Sequence, residues 1–344
     1  MGEGGYVAEF VTDVFAPLLK EIVDKKIKVV TNAGGPHPVL VDLSSLAHLV
    51  DIVFVGMNPE ALKKHLEAIA AKAGVSLTVA AVSGDDLMES FSTLSEQGAV
   101  KSFDIEGVAE VLPKRPMLSS NAYFGAFPVA MALQAGAQVV VTGRAVDSAI
   151  VLGPLIAEFG WSESSYDLLG AGSICGHILE CGCHTTGGNF TDWRLSLANG
   201  WHNVGYPIAE CFADGSFIVT KPPNTGGLVS VATVAEQIVY EIHDPANYFL
   251  PDVIADFTQV KLEELPPLNG YHLPPRLTAI VLLIIYMHIF SAGRVRVTGG
   301  RGRSPTAWYK VSNTYLGQFK MTAMLMVGGP EARAKALAVG EAIV

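Results

Sequence analysis

The chain has 344 residues, half of them hydrophobic and 16% charged, with 23 Lys and Arg against 33 Asp and Glu and a net charge of −10. This composition supports a sizeable buried core and excludes a disordered chain. The acidic balance excludes a nucleic-acid partner, which needs a basic face, and a short basic run at residues 25–28 reads as a solvated helix end.

In chain order, residues 10–24 carry apolar side chains at helical spacing and predict a helix. Residues 27–30 predict a short buried strand that runs into the loop Thr31-Asn32-Ala33-Gly34-Gly35. A helix is expected over 59–73, with Asn58 as its N-cap and Gly74 as its stop. A strand over 77–82 leads to Gly84-Asp85-Asp86 and a further helix. A strand over 139–141 leads through Thr142-Gly143-Arg144 to a helix over 146–159. Repeated strand, glycine loop and helix predict an α/β layer with a parallel sheet over residues 1–160.

Beyond residue 160 the pattern changes. A glycine-rich helical stretch surrounds His177. A strand over 217–220 and a helix over 231–242 follow, then strands over 295–298, 308–312 and 320–327, and a closing helix over 331–343. Residues 161–344 are therefore expected to form an α+β portion with mixed strands. The longest apolar run, residues 277–290, has 14 residues, short of the roughly 20 that span a bilayer. Four cysteines, three of them crowded together, do not make a secreted disulfide framework. Residues 1–6 lack the basic and apolar regions of a signal peptide. A cytoplasmic location is the expectation.

The densest run of reactive side chains is AGSICGHILECGCHTTGGNFTDW, residues 171–193, with three of the four cysteines and two of the nine histidines. Its Cys and His residues invite a zinc reading, but Cys181-Gly182-Cys183 is tighter than the usual C-x₂₋₄-C knuckle and no second pair follows. No metal and no cofactor are expected. On a helix, His177, Glu180 and Cys181 share a face. A His beside a Cys can generate a thiolate, and a His/Glu pair can move protons near neutral pH. The alternative is a helix whose histidine is a satisfied core group.

Glycine loops at strand ends can hold anions through free backbone N–H groups, or can simply make tight turns. The loops at Asn32, at Arg144 and Asp147, and at Thr225, Gly226 and Gly227 are candidates. Arg144, Lys221 and Arg301 suit an acidic ligand, since Arg grips a carboxylate or phosphate bidentately. Asn189 and Asp192 complete the polar set. No Walker motif, G-x-S-x-G elbow or H-E-x-x-H is present. The absence of G-x-G-x-x-G after a first strand argues against a nicotinamide dehydrogenase.

The segments GGNFTDW, GYPIAE (205–210), DGSFIVTKPPNTGGLVSVATVAEQ (214–237), LPDVIADFTQV (250–260) and VTGRAVDSAIVLGPLIAEFGW (141–161) resemble the acyclic terpene utilisation, or AtuA-type, family. The resemblance implies a part in the breakdown of citronellol- and geraniol-type terpenoids, alongside acyl-CoA carboxylation. The implied partner is a small acidic or acyl-CoA substrate. A homo-oligomer is compatible with this; nucleic acid and membrane are not. No catalytic residues carry over. His177, Glu180, Cys181, Asn189 and Asp192 match the family pattern, whereas Cys175, Cys183 and His184 depart from it.

The chain also departs from the pattern in starting later and stopping earlier, and in two interruptions, 36–56 and 265–293. Both are read as non-native insertions. The expected function is a catabolic enzyme of lyase, hydratase or transferase type. The rivals are a non-catalytic binding or assembly subunit and a non-functional truncated product. An enzyme predicts His177, Glu180 and Arg144 converging on one pocket; a binding subunit predicts them scattered.

Overall fold

The computed structural model describes residues 6–34, 37–41, 51–55, 58–102, 116–197, 200–266, 293–315 and 331–343. The strand expected over 320–327, the apolar run 277–290 and nearly all of 265–293 lie outside them. A π-helical turn, Phe10–Phe15, runs into α1 (Ala16–Asp24). Next come β1 (Val29–Thr31), β2 (His37–Val41), β3 (Asp51–Val55), α2 (Pro59–Lys72), β4 (Val79–Val82) and α3 (Phe91–Glu96). β5 (Met117–Ala122), α4 (Phe127–Gln134), β6 (Val139–Thr142) and α5 (Ala149–Phe159) follow, then α6 (Tyr166–Glu180) and α7 (Trp193–Ser196). The chain continues with β7 (Ile208–Cys211), β8 (Phe217–Thr220), α8 (Val231–Val239), β9 (Tyr248–Phe249), β10 (Ile254–Asp256) and β11 (Lys261–Leu265). It ends with β12 (Arg294–Thr298), β13 (Arg301–Arg303), β14 (Val311–Tyr315) and α9 (Ala332–Ile343).

The chain forms two compact units. The first holds residues 1–162 with the short returns 250–252 and 305–319; the second holds 163–249, 253–304 and 320–344.

The first unit is built on a parallel sheet in the order β1-β6-β4, with Val29 opposite Val139 and Val79 opposite Val139. Strand alternation sorts its side chains onto two faces. Val139, Val141 and Val79 pack with Phe15, Leu19, Leu62 and Leu66 of the N-terminal helix and α2. Val140 packs with Val129 and Leu133 of α4 on the opposite face. The result is a three-layer α/β arrangement whose central strand is buried throughout. α2 starts as its sequence dictates: the Asn58 side chain accepts from Ala61 N at 2.9 Å, with Pro59 at the first helical position.

β5 pairs antiparallel with β14. Its outgoing end lies along the loops after β4 and β6: Leu87 N donates to Ser120 O, and Phe124 N to Arg144 O. Within residues 36–56 the described parts are β2 and β3, which pair antiparallel with His37 opposite Val55.

The second unit is antiparallel in its sheets. One has the order β11-β12-β8-β7, the other β13-β10-β9. α6 is its spine and is buried along Leu169–Ile178. α8 begins with a capping box, Ser230 accepting from Thr233 N and Thr233 Oγ1 accepting from Ser230 N.

Candidate functional site

In open parallel α/β sheets, ligands bind at the carboxyl ends of the strands. Here three loops leave that edge: Asn32 to Gly34 after β1, Ser83 to Asp86 after β4, and Gly143 to Ala145 after β6. Between the loops after β4 and β6 lies Asp85, only 4% exposed. Its Oδ2 accepts from Arg144 N at 2.8 Å and from Asn121 Nδ2 at 2.9 Å. Burial pushes the Asp85 carboxyl up from the ordinary carboxylate range, against the opposing pull of those donors. A Cβ on Gly143 would fall 2.1 Å from Asp85 Oδ1, so only glycine after β6 lets the carboxylate occupy this place.

Two cations, Arg144 and Lys310, meet on one ring, that of Tyr123. The Arg144 guanidinium lies over the Tyr123 ring at 4.4 Å from its centroid and donates to the phenol oxygen. Lys310 Nζ lies 5.0 Å from the same centroid. Tyr123 N donates to Lys310 O, which fixes the two residues side by side. The first unit thus holds a buried carboxyl, bound by the Arg144 backbone, and an Arg/Lys pair on the Tyr123 face. Asn32 and Asp147 lie on the flanking loops and are exposed.

The sequence pointed to Asn32, Arg144 and Asp147 but not to Asp85, Asn121, Tyr123 or Lys310. The signal for Asp85 was present: Gly84-Asp85 repeats after β4 the strand–glycine–polar order of Gly143-Arg144. The TNAGG loop is governed by packing, since a Cβ on Gly34 would meet Thr142 O at 2.5 Å.

The remaining expected residues lie in the second unit. His177 is 5% exposed, and its Nε2–H donates to the Gln237 carbonyl at 3.0 Å, while Gln237 Nε2 donates back to His177 O at 3.1 Å. A carbonyl only accepts, so this bond fixes the proton on Nε2. Tyr248 and Phe257 pack edge-on against the imidazole.

Cys181 Sγ donates to Glu180 Oε1 at 2.6 Å. Burial, then the Glu180 carboxylate, push the Cys181 thiol up to about 12, with the Gln237 side chain opposing. This geometry favours a donor thiol over the nucleophilic thiolate expected from the sequence.

Lys221 is 7% exposed and donates to Thr225 O at 2.8 Å and Thr225 Oγ1 at 3.2 Å. Its ammonium closes the loop that carries Gly226 and Gly227, and burial lowers its pKa. Arg301 pairs with Asp167 at 2.8 Å on the surface. Asn189 and Asp192 are exposed. Among the described residues, no group of three or more His, Cys, Asp or Glu could hold a metal ion.

The sequence model of the acyclic terpene utilisation family protein AtuA matches residues 50–344. The chain belongs to this family. Membership suggests a role in acyclic terpene utilisation. No curated protein and no solved structure matched the chain. Among the described residues, no helix is long and apolar enough to cross a membrane.

Proposed function

We propose that this AtuA-family chain is a catabolic enzyme that takes a small acidic or acyl-CoA substrate at the carboxyl edge of its parallel sheet. Arg144 and Lys310 hold the carboxylate or phosphate, Tyr123 keeps the two cations in place, and Asp85 exchanges a proton with the substrate. The observation that carries this reading is the buried Asp85 carboxyl, its pKa raised by burial, held at the sheet edge by the Arg144 backbone N–H. Buried carboxyls with perturbed pKa values cluster at functional sites. The reaction is of lyase, hydratase or transferase type.

His177, Glu180 and Cys181 serve in this reading as the framework of the second unit. The closed His177–Gln237 exchange favours that role and gives the rival, a non-catalytic binding subunit, its best support.

Calorimetric titration with a short acyl-CoA and with its free acid tests the proposal. Arg144→Ala should weaken binding by about 10-fold or more, the size of a lost charge-assisted hydrogen bond. Asp85→Asn should keep affinity and lose turnover of any acyl-CoA that the wild type converts. Unchanged affinity in Arg144→Ala would sink the site. Undiminished turnover in Asp85→Asn would remove Asp85 from it, and binding without turnover in the wild type would favour the binding subunit.

A further inference from the structure

Two cysteines that the proposed site does not use lie sulfur to sulfur within the second unit. Cys175 Sγ and Cys211 Sγ are 3.7 Å apart, and both are free thiols. Cys175 is fully buried on α6. Cys211 ends β7, the edge strand of its sheet, and is partly exposed. Residues four apart on a helix share a face, and α6 uses this spacing here. Ala171 meets the β7–β8 turn, where a Cβ on Gly215 would lie 3.1 Å from Ala171 Cβ. Cys175, one turn further along α6, meets Cys211.

The turn itself is pinned. Ser216 N and Oγ donate to Asp214 Oδ1 at 2.9 and 2.6 Å, and Phe212 N donates to Ser216 O at 2.9 Å. Cys211 is in register with Phe217 of β8. Two separately fixed elements therefore present the sulfurs to each other. Side-chain rotation closes the remaining gap to a bond of about 2.05 Å.

We propose that Cys175 and Cys211 form a redox-active dithiol, which a hydroperoxide converts to a disulfide that clamps β7 onto α6. Cys211 attacks first, because it is the reachable sulfur. The adjoining Cys175 sulfur pulls the Cys211 pKa down, against burial. The Cys211 thiolate takes the terminal oxygen of the hydroperoxide. The O–O bond breaks, Cys211 becomes a sulfenic acid, and the leaving alkoxide takes up the proton that the thiol released. Cys175 sulfur then attacks Cys211 sulfur. The S–O bond breaks, the S–S bond forms, and hydroxide leaves as water with the Cys175 proton. Two thiols and one hydroperoxide give one disulfide, one alcohol (water, if the oxidant is hydrogen peroxide) and one water. A thiol reductant reverses the bond by exchange.

The test treats the full chain with hydrogen peroxide, alkylates the remaining thiols and maps cross-links by non-reducing digestion and fragmentation mass spectrometry. The expected result is loss of two of the four free thiols, a Cys175–Cys211 cross-link, and return of both thiols with dithiothreitol. The cross-link should persist in a Cys181→Ser/Cys183→Ser variant. It should vanish in Cys175→Ser, which should instead accumulate oxidised Cys211. Four free thiols after an oxidant dose that closes a control dithiol, or a cross-link through Cys181 or Cys183, would overturn the proposal. If Cys175→Ser does not fold, the wild-type map alone decides.

Discussion

The sheet edge of the first unit and the α6 segment of the second hold similar numbers of reactive side chains, but they use them differently. Around α6, His177 and Gln237 exchange hydrogen bonds, and the Cys181 thiol donates a hydrogen bond to Glu180. The pairing is incomplete, since Gln237 Oε1, Ser173 Oγ and His184 Nδ1 are buried without a hydrogen bond. At the sheet edge, Asp85 is held by neutral donors, while Arg144 and Lys310 lie on the Tyr123 ring. Density of reactive residue types is therefore a poor guide to chemistry. The difference lies in the partners: neutral donors and an aromatic ring at one, paired polar side chains at the other.

Breaking the closed cluster should give the largest effect. His177→Ala removes a buried imidazole, two ring contacts and the donor to the Gln237 carbonyl. It should cost about 3–4 kcal/mol, from the cavity plus an unpaired buried acceptor. Chemical denaturation measures this, and ligand affinity should hold wherever the variant is folded. An intact fold with abolished activity would instead return His177 to the chemistry.

A smaller loss tests the open site. In Gly143→Ala the new methyl competes with Asp85 Oδ1 for one place. The expected cost is about 1–3 kcal/mol of overpacking, accompanied by weaker acyl-CoA binding. Unchanged stability and binding would show that the carboxylate does not need that position.

A third comparison sets Asp85 against Asp252, also in the first unit. Asp252 accepts from Ala126 N at 2.8 Å at the start of α4, and a Cβ on Gly125 would fall 2.2 Å from its Oδ1. The device is the same as at Gly143, but Asp252 has a helix terminus where Asp85 has the Asn121 amide and the Arg144 N–H. Burial raises the Asp252 pKa from its ordinary 3.8. The folded state then holds the proton more tightly than the unfolded chain. The Asp252 contribution is most favourable below the ordinary pKa, falls as pH rises from there to the raised folded value, and is level beyond. Asp252→Asn lacks this loss, so its stability relative to wild type should climb with pH across that window. A flat difference curve would show that the hydrogen bonds at α4 offset the burial completely.

The smallest effect belongs to Arg301→Ala. The pair with Asp167 is more than half exposed on both sides, and its loss should change stability by less than about 1 kcal/mol. A larger loss in thermal unfolding would mark it as more than a surface contact.

How much of this was legible in the sequence follows from the range of the forces involved. β8 lies over 217–220 and α2 over 59–72, close to where pattern and capping put them, because both are encoded locally by apolar spacing and by Asn58 and Gly74. β5 was not foreseen. Its sequence, MLSSNA, has little strand pattern, and its extended form depends on β14 and on the loop after β4. The strand expected over 308–312 lies at Val311–Tyr315, where its partner β5 sets the register.

The site divides in the same way. Arg144 was readable because glycine and arginine follow an apolar strand. Lys310 was not, since it lies far along the chain and reaches Tyr123 only through tertiary pairing. The helix expected to carry His177, Glu180 and Cys181 ends at Glu180, with Cys181 as its C-cap. What the sequence could not show was the partner of His177 and of Cys181, Gln237 in one case and the adjacent Glu180 in the other.

Hydrogen–deuterium exchange with and without a saturating short acyl-CoA tests most directly which region takes the ligand. Protection confined to residues 83–87 and 142–147, with 177–184 unchanged, is the predicted result. Protection at 177–184 with no change at 83–87 and 142–147 would contradict the account and restore the α6 cluster as the site.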